Sequence, residues 1–489
     1  MTNPFTTIDF LAVLPETIIA VMGMVVIVIE LFGTGRDTRN LAYLSLLSLI
    51  VAGYVDVLLL GRNLEGFWGT VSADDYSIAF ELIFLTVSGL TVLISIRYLE
   101  DRLLRHGEYY ALLLFATVGM MLLASGLDLL LIFIGLEILS ISSYILCGMI
   151  QADPRSNEAA LKYFLLGAFA TGFLLYGIAM LYGATGSIEL REINAELAKE
   201  DTFKNPYIWI GLGFILVGFG FKIALVPFHM WTPDVYEGAP TAVTAFLSTG
   251  PKAAGFAALI RILFEGLGAT QAEWSQVLWV LAALTMTVGN VVALQQDNIK
   301  RMLAYSSIAH AGYILVAVVA GGPEGLAAVL FYTFAYTLMN FGAFAILILA
   351  SGKDRERVTF NDYAGYGFVS PVLGIAMLVF MLSLAGIPLT AGFAGKFQIF
   401  KTVIDKGFIW LAVIGLLNSV VSIYYYLRLV VMMYMQSPTA DSIKERSAPS
   451  MSLYAAIALT LLGVIYLGIF PSRWIELSLQ SVSVLVAGG

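Results

Sequence analysis

The sequence predicts an all-α polytopic membrane protein with about fourteen transmembrane helices, and two observations lead to this fold class. Of the 489 residues, 59% are hydrophobic and only 12% are charged, whereas a soluble domain normally carries about 25% charged residues. The apolar residues also form runs of the length that a helix needs to cross a bilayer, about 20 residues. No segment between these runs is long enough for a soluble domain.

The apolar runs give the order of the spans. They lie near residues 10–33, 40–60, 76–97, 108–126, 128–150, 157–184, 207–227, 240–268, 274–295, 302–320, 325–350, 367–388 continuing to 404, 407–435 and 451–471. The longest polar connection, 185–206, predicts a short amphipathic helix on the surface.

Lysine and arginine residues predict the orientation. One set of alternate loops and flanking turns carries fifteen of them and the other set carries six. Because cytoplasmic loops are enriched in Lys and Arg, the richer set is expected in the cytoplasm. An even number of spans then places both termini on the outer side of the membrane.

Two spans, the seventh and the twelfth, contain helix-breaking sequences. Pro227 is followed by Pro233 and Pro240, and the run Ala-Gly-Ile-Pro-Leu-Thr-Ala-Gly interrupts the twelfth span at 385–392. Proline removes a backbone donor, and such breaks persist at membrane depth only where protein or water satisfies the freed groups. Corresponding broken helices are typical of inverted-repeat transporters. Five spans separate the two breaks, so the second copy is expected to be inverted.

Four charged residues lie within apolar runs. Lys222, Lys252, Lys396 and Glu137 are all flanked by hydrophobic sequence. A charge at membrane depth costs about 2.5–3.5 kcal/mol on insertion scales, and such residues typically mark ion or proton pathways. The sequence therefore predicts a route for protons or ions.

For these residues a purely structural role is the alternative to a role in transport. Glu137 is the natural partner of Lys222, and the two alternatively form a static ion pair that fixes helix register. Lys252 has no acid within one helical turn. The acid that follows on the same span, Glu265, is better placed to pair with Arg261. A relay role is therefore expected for Lys252. For Lys396 the alternative is a side chain that extends to the membrane interface.

Three further residues are candidates for supporting roles. His310 titrates near neutral pH and is suited to proton transfer, or it makes a polar contact between helices. Lys162 and Glu108 are placed near the cytoplasmic ends of their spans, where they either feed the intake of the route or mark the interface.

Several cofactor motifs are absent from the sequence. A single cysteine, Cys147, excludes an internal disulfide and a cysteine-ligated iron–sulfur cluster. The glycine pairs at 211–213 and 218–220 lack the third glycine of a dinucleotide site. Neither a phosphate-binding loop nor a cluster of metal ligands is present. No cofactor or metal is therefore expected in this chain. The energy for the predicted transport must come from an ion gradient or a partner.

Specific motifs resemble a known family. Phe-Lys-Ile-Ala-Leu-Val-Pro-Phe-His-Met-Trp-Thr-Pro-Asp-Val-Tyr-Glu-Gly-Ala-Pro-Thr, at 221–241, resembles the signature of the antiporter-like, proton-conducting membrane subunits of respiratory complex I, which resemble Mrp-type cation/proton antiporters. The segments 153–164 and 300–313 carry the same resemblance. It extends over nearly the whole chain.

The resemblance implies a division of the chain and a role for each site residue. Three N-terminal helices occupy 1–107, two inverted five-helix repeats occupy 108–268 and 274–436, and a last helix lies in 451–489. Glu137 and Lys222 would form the input pair, Lys252 the central relay and Lys396 the output group. Lys162 and Glu108 would lie near the intake.

The implied function is that of a proton-translocating membrane subunit of a bacterial NADH:quinone oxidoreductase. Flavin, iron–sulfur clusters and quinone would be held by other subunits, and the partners would be those subunits, sibling antiporter-like chains and lipid, but not nucleic acid. The expected location is the inner membrane, with both termini periplasmic. The alternatives are an Mrp-type antiporter subunit and a membrane subunit of a related hydrogenase complex.

Overall fold

The computed structural model describes residues 6–32, 38–102, 107–352, 356–438 and 450–487, which are largely helical. The helices are α1 Thr7–Ala12, α2 Leu14–Phe32, α3 Arg39–Leu59, α4 Asp75–Asp101, α5 Glu108–Ser125, α6 Leu129–Cys147, α7 Pro154–Thr185, α8 Leu190–Leu197, α9 Glu200–Phe203, α10 Pro206–Lys222, α11 Trp231–Gly238, α12 Thr241–Arg261, α13 Gln271–Ala293, α14 Ile299–Ala320, α15 Gly322–Ala350, α16 Tyr366–Val369, α17 Pro371–Ala385, α18 Ala391–Asp405, α19 Ile409–Met435, α20 Met451–Ile469 and α21 Ser472–Ala487. Two short strands, β1 Leu64–Gly66 and β2 Val71–Ala73, pair as an antiparallel hairpin.

The number and order of the membrane helices agree with the sequence prediction. Twelve described helices are long and apolar enough to span a membrane, and α10 and α17 are shorter apolar helices at the positions of the seventh and twelfth spans. The predicted surface helix is also present, as α8, whose buried residues Leu190, Ile193 and Leu197 lie on one face. The chain is a multi-pass, all-α membrane protein.

The seventh and twelfth spans are broken, as predicted, but the helix of the seventh span ends earlier than expected. The apolar sequence predicted a span as far as residue 227, whereas α10 ends at Lys222 and the polar segment 231–238 is itself helical. Tertiary contacts stabilise the early break. The indole N–H of Trp231 donates to the Phe221 carbonyl at 2.9 Å, and the Val226 N–H donates to Thr285 Oγ1 at 3.0 Å.

Two parts of the chain contain matching structural details. Asp128 caps the start of α6 and Asn298 caps the start of α14, each through its side-chain oxygen. Each capping residue also forms an isolated bridge to a later loop, to Glu189 and Thr359 respectively. Both capping residues and both bridge partners are 170 positions apart (298 − 128 and 359 − 189). The starts of α6 and α14 therefore share the same local structure.

The last helix, α21, was not foreseen from the sequence. It follows Pro471 and packs against α15 and α4, where the ring of Trp474 lies 5.2 Å from that of Phe334. Its sequence is too polar to be read as a span, and only its packing reveals it as a surface helix.

The centre of the molecule is formed by three helices. Most residues of α12, α14 and α15 are buried, whereas about a third or fewer of the residues of α2, α7 and α20 are buried. Polar side chains near the middle of these helices, such as Lys252, Ser307 and His310, are therefore shielded by protein.

Candidate functional site

Lys222 is the first of three lysines that are buried within apolar helices; a fourth buried lysine, Lys300, pairs with Glu356. It ends α10, is 2% exposed, and donates from Nζ to Ser140 Oγ on α6 at 3.0 Å. Glu137 lies one turn before Ser140 and within electrostatic range of the amine. However, Glu137 forms no ion pair with Lys222, and its Oε1 has no hydrogen-bond partner among the described residues. The direct contact of Lys222 is thus with a hydroxyl.

Two stacked aromatic rings lie beside the same amine. The Tyr163 ring centroid is 5.9 Å from Lys222 Nζ, and Tyr163 is stacked on Trp231 with a centroid separation of 4.4 Å. Trp231 begins the helix after the break. The break therefore places the Trp231 ring against Tyr163, next to the end of α10 that carries Lys222.

Lys252 lies in the middle of α12 and is 4% exposed. Its Nζ donates to Ser307 Oγ on α14 and lies 5.8 Å from the Tyr236 ring centroid. No described carboxylate forms an ion pair with it. Glu265, as the sequence indicated, pairs with Arg261 at 3.0 Å. A neutral hydroxyl is again the direct partner.

His310 lies one turn beyond Ser307 on α14 and is 1% exposed. Its Nδ1 is 2.7 Å from Tyr332 Oη and its Nε2 is 3.0 Å from Tyr426 Oη. Tyr426 also hydrogen-bonds Ser306. A neutral imidazole donates from one nitrogen and accepts at the other, so this arrangement joins two tyrosine hydroxyls through one ring.

Lys396 lies on α18, just after the second break. Its Nζ donates to the carbonyls of Leu384 and Ala385 at 3.1 Å each and to Ser419 Oγ at 3.0 Å. The Tyr313 ring, one turn beyond His310, has its centroid 4.7 Å from Nζ. The amine therefore satisfies carbonyls at the end of α17 inside the protein and does not extend to the interface.

The contacts of Lys252, His310 and Lys396 form a row along α14. Ser307, His310 and Tyr313 follow each other at three-residue intervals on α14 and contact, in order, Lys252, the two tyrosine hydroxyls and Lys396. We call Lys222, Lys252, His310 and Lys396 the buried row. The sequence signal for the α14 residues that contact this row is the spacing of polar residues on the tenth span, where only His310 was predicted. Ser140, Ser307, Tyr332 and Tyr426 were missed.

Lys162 and Glu108 lie apart from the buried row. The Lys162 side chain is 41% exposed and pairs with Asp234 at 2.7 Å and Glu158 at 2.8 Å, and Arg301 joins Asp234 from α14 at 2.8 Å. This ion-pair network borders a cavity of about 240 Å³. Glu108 is the exposed first residue of α5. The structure thus places both residues at the rim of the molecule.

A second cavity reaches the buried row from the side. It has a volume of about 470 Å³ and is lined by Lys396 and Ser419 together with Phe393, Phe397 and Leu416. Phe397 is 59% exposed and Leu416 is 48% exposed. Lys396 therefore lies behind an apolar opening between α18 and α19.

Comparison with known proteins gives a family match in the middle of the chain and relatives that match nearly all of it. The NADH:quinone oxidoreductase/Mrp antiporter transmembrane family model matches residues 126–422. The NADH-quinone oxidoreductase subunit N of Trichlorobacter lovleyi is 48% identical over 485 residues, covering 98% of each chain.

Solved structures include two informative neighbours. A chain of respiratory complex I from Thermus thermophilus with bound aureothin has a TM-score of 0.80 and 37% identity, covering 94% of this chain and 98% of that chain. A chain of the Mrp complex from Dietzia sp. DQ12-45-1b has a TM-score of 0.84 but only 20% identity, covering 98% of both. The second likeness shows a shared fold.

Proposed function

Because the chain belongs to the NADH:quinone oxidoreductase/Mrp antiporter family of membrane subunits, we propose that it is a proton-translocating membrane subunit of a bacterial NADH:quinone oxidoreductase. In this proposal flavin, iron–sulfur clusters and quinone belong to other subunits, which are its partners. The identity of 48% to a subunit N and of 37% to a complex I chain favours this function over that of an Mrp antiporter subunit, for which the likeness is one of fold.

The observation that carries the proposal is the chemistry of the contacts in the buried row. Within the described ranges, the amines of Lys222, Lys252 and Lys396 donate to hydroxyl and carbonyl oxygens and not to carboxylates. An amine bound in this way can release its proton without leaving an unpaired carboxylate in the interior. Hydroxyls and the His310 imidazole are groups that both donate and accept, as a proton relay requires.

We assign the roles in order along the row. Lys222, under the influence of Glu137, receives the proton, and Lys252 passes it towards His310 and its tyrosines. Lys396 is the output group. Lys162 and Glu108 act near the cytoplasmic intake, where the charged network collects protons.

The same proposal includes the organisation of the chain in the membrane. The repeats are assigned to 108–268 and 274–436, between the N-terminal helices in 1–107 and the C-terminal segment 451–489. The matching caps of α6 and α14 support this division. The loop charges favour a periplasmic location for both termini and a location of the chain in the inner membrane.

The test is proton translocation by Lys252→Met in the purified complex, reconstituted into vesicles. Methionine keeps an unbranched chain of similar length but holds no proton. We expect a severalfold lower rate of proton uptake per complex during NADH oxidation. The control is Lys199→Met, because Lys199 is a surface lysine with a 63% exposed side chain.

Assembly of each variant is quantified first, so that rates refer to intact complex. Unchanged proton uptake by assembled Lys252→Met complex would remove Lys252 from the pathway. Normal uptake in Lys222→Met and Lys396→Met as well would overturn the proposed function of this chain.

A further inference from the structure

A group of three buried carboxyls lies outside the buried row. Glu16 on α2, Asp56 on α3 and Glu81 on α4 are 4%, 0% and 3% exposed. They lie near the start of α2, the end of α3 and the start of α4, which the up-and-down order of the helices brings to one end of the bundle. We call these residues the carboxyl cluster.

The hydrogen bonding of the carboxyl cluster is incomplete. No protein donor in the described chain reaches either side-chain oxygen of Asp56 or Oε2 of Glu16. Glu16 Oε1 accepts from Ser125 Oγ of α5 at a long 3.3 Å. The carboxyl of Glu81 lies within hydrogen-bonding reach of the carboxyl of Asp56. Two ionised carboxylates cannot hydrogen-bond each other, because both only accept.

Charges on the surrounding helices do not neutralise the cluster. The further charged group that acts on Glu81 is Asp74, the residue that caps the start of α4, and it is itself an acid. Arg261 of α12 is committed elsewhere, since Nη2 pairs with Asp74 at 2.9 Å, Nη1 with Glu265 at 3.0 Å, and Nε donates to the Ala124 carbonyl at 2.9 Å. No described lysine, arginine or histidine forms an ion pair with Glu16, Asp56 or Glu81.

We propose that Glu16, Asp56 and Glu81 form a proton-binding site, separate from the buried row, in which one proton is shared between Asp56 and Glu81. An isolated ionised carboxylate is far too costly to bury, and three adjacent ones add mutual repulsion. A proton on one carboxyl turns it into a donor and satisfies its neighbour. The three side chains do not converge as ligands of a metal ion would, so the chemistry favours a proton over a bound cation.

The test is infrared spectroscopy of the intact complex. A protonated carboxyl gives a carbonyl stretching band that shifts in heavy water, whereas a carboxylate does not give this band. We expect the parent spectrum to contain one such band at neutral pH that is absent from Asp56→Asn and from Glu81→Gln. Asp201→Asn is the control, because Asp201 is exposed on the surface, and it should leave the spectrum unchanged.

Two further arms keep the result decisive. If Asp56→Asn does not assemble, aspartate with a carbon-13 carboxyl is incorporated into the parent complex, and the protonated-carboxyl band should shift. Absence of the band from both the difference and labelled spectra would overturn the proposal. Carboxylate bands that respond to added sodium ions would instead indicate a cation site. Because the readout does not involve proton pumping, it stands or falls independently of the proposed function.

Discussion

Among the described residues, Ser307 is the hydrogen-bond partner of the central lysine, Lys252. Its hydroxyl accepts from Lys252 Nζ, and no described carboxylate pairs with that amine. We predict that Ser307→Ala destabilises the subunit by about 1–3 kcal/mol, because the buried amine of Lys252 loses its hydrogen-bond partner. We also expect severalfold slower proton uptake by the assembled complex, measured in vesicles during NADH oxidation.

Ser143→Ala is the matched control for this change. Ser143 is equally buried, but its hydroxyl only bonds the Leu139 carbonyl of its own helix at 2.7 Å. Equal proton uptake in the Ser307 and Ser143 variants would show that the Ser307 contact has no part in translocation.

At the scale of elements, α12 packs closely on the broken end of α10. A Cβ atom added to Gly255 would lie 2.5 Å from Ile223 Cγ2 and 3.5 Å from Lys222 Cγ. We predict that Gly255→Ala lowers the stability by about 1–3 kcal/mol, the usual cost of overpacking, and displaces the end of α10. Thermal unfolding of the purified complex is the measurement.

Two variants separate overpacking from a simple glycine effect. Gly213→Ala, where a Cβ meets nothing within 4 Å, should be neutral or stabilising, since alanine favours helix. Ile223→Ala in the Gly255→Ala background should restore part of the lost stability. If the double variant is no better than the single one, the contact with Ile223 is not the cause.

A second link between elements joins α4, α14 and the loop after α15. Glu356 pairs with Lys300 at 3.2 Å and accepts from Tyr98 Oη at 2.6 Å. Burial acts to raise the pKa of Glu356, but the Lys300 ammonium and the Tyr98 hydroxyl outweigh it and lower the pKa from 4.5 to about 2. The carboxylate therefore stabilises the fold above about pH 4.5 and loses this effect as the pH falls towards 2.

We predict the corresponding pH dependence for Glu356→Gln. Its melting temperature should be below that of the parent near neutral pH, and the difference should shrink as the pH falls from about 4.5 towards 2. The control is Glu196→Gln, since Glu196 forms an exposed pair with Lys199, and such pairs contribute little. A difference that is constant with pH would rule out the ionised Glu356 as its source.

At the scale of the whole molecule, orientation is the property that the charge pattern predicts. In a Cys147→Ser background, which removes the only cysteine, we predict that Asp201→Cys is labelled from the periplasm by an impermeant reagent. Gln151→Cys should be labelled only after the membrane is opened. Both positions are exposed, so access depends on the side of the membrane. The reverse pattern would invert the topology.

The sequence by itself determined the all-α membrane fold, the order of the spans and the two breaks. Apolar run length and proline position are local properties, and the cost of inserting charge singles out Lys222, Lys252 and Lys396 without knowledge of their neighbours. The same local signal misplaced the end of α10, because Trp231 and Thr285 stabilise the break through tertiary hydrogen bonds.

Only the tertiary structure decided which groups meet. Lys222 contacts Ser140 across 82 positions and Lys252 contacts Ser307 across 55, and the carboxyl cluster combines three helices. Such contacts depend on how helices pack, and a serine carries no sequence signal that separates a relay partner from an ordinary helix residue. For the same reason the exposure of Lys162 was decided by the fold: its position within an apolar run does not reveal which face of α7 points outward.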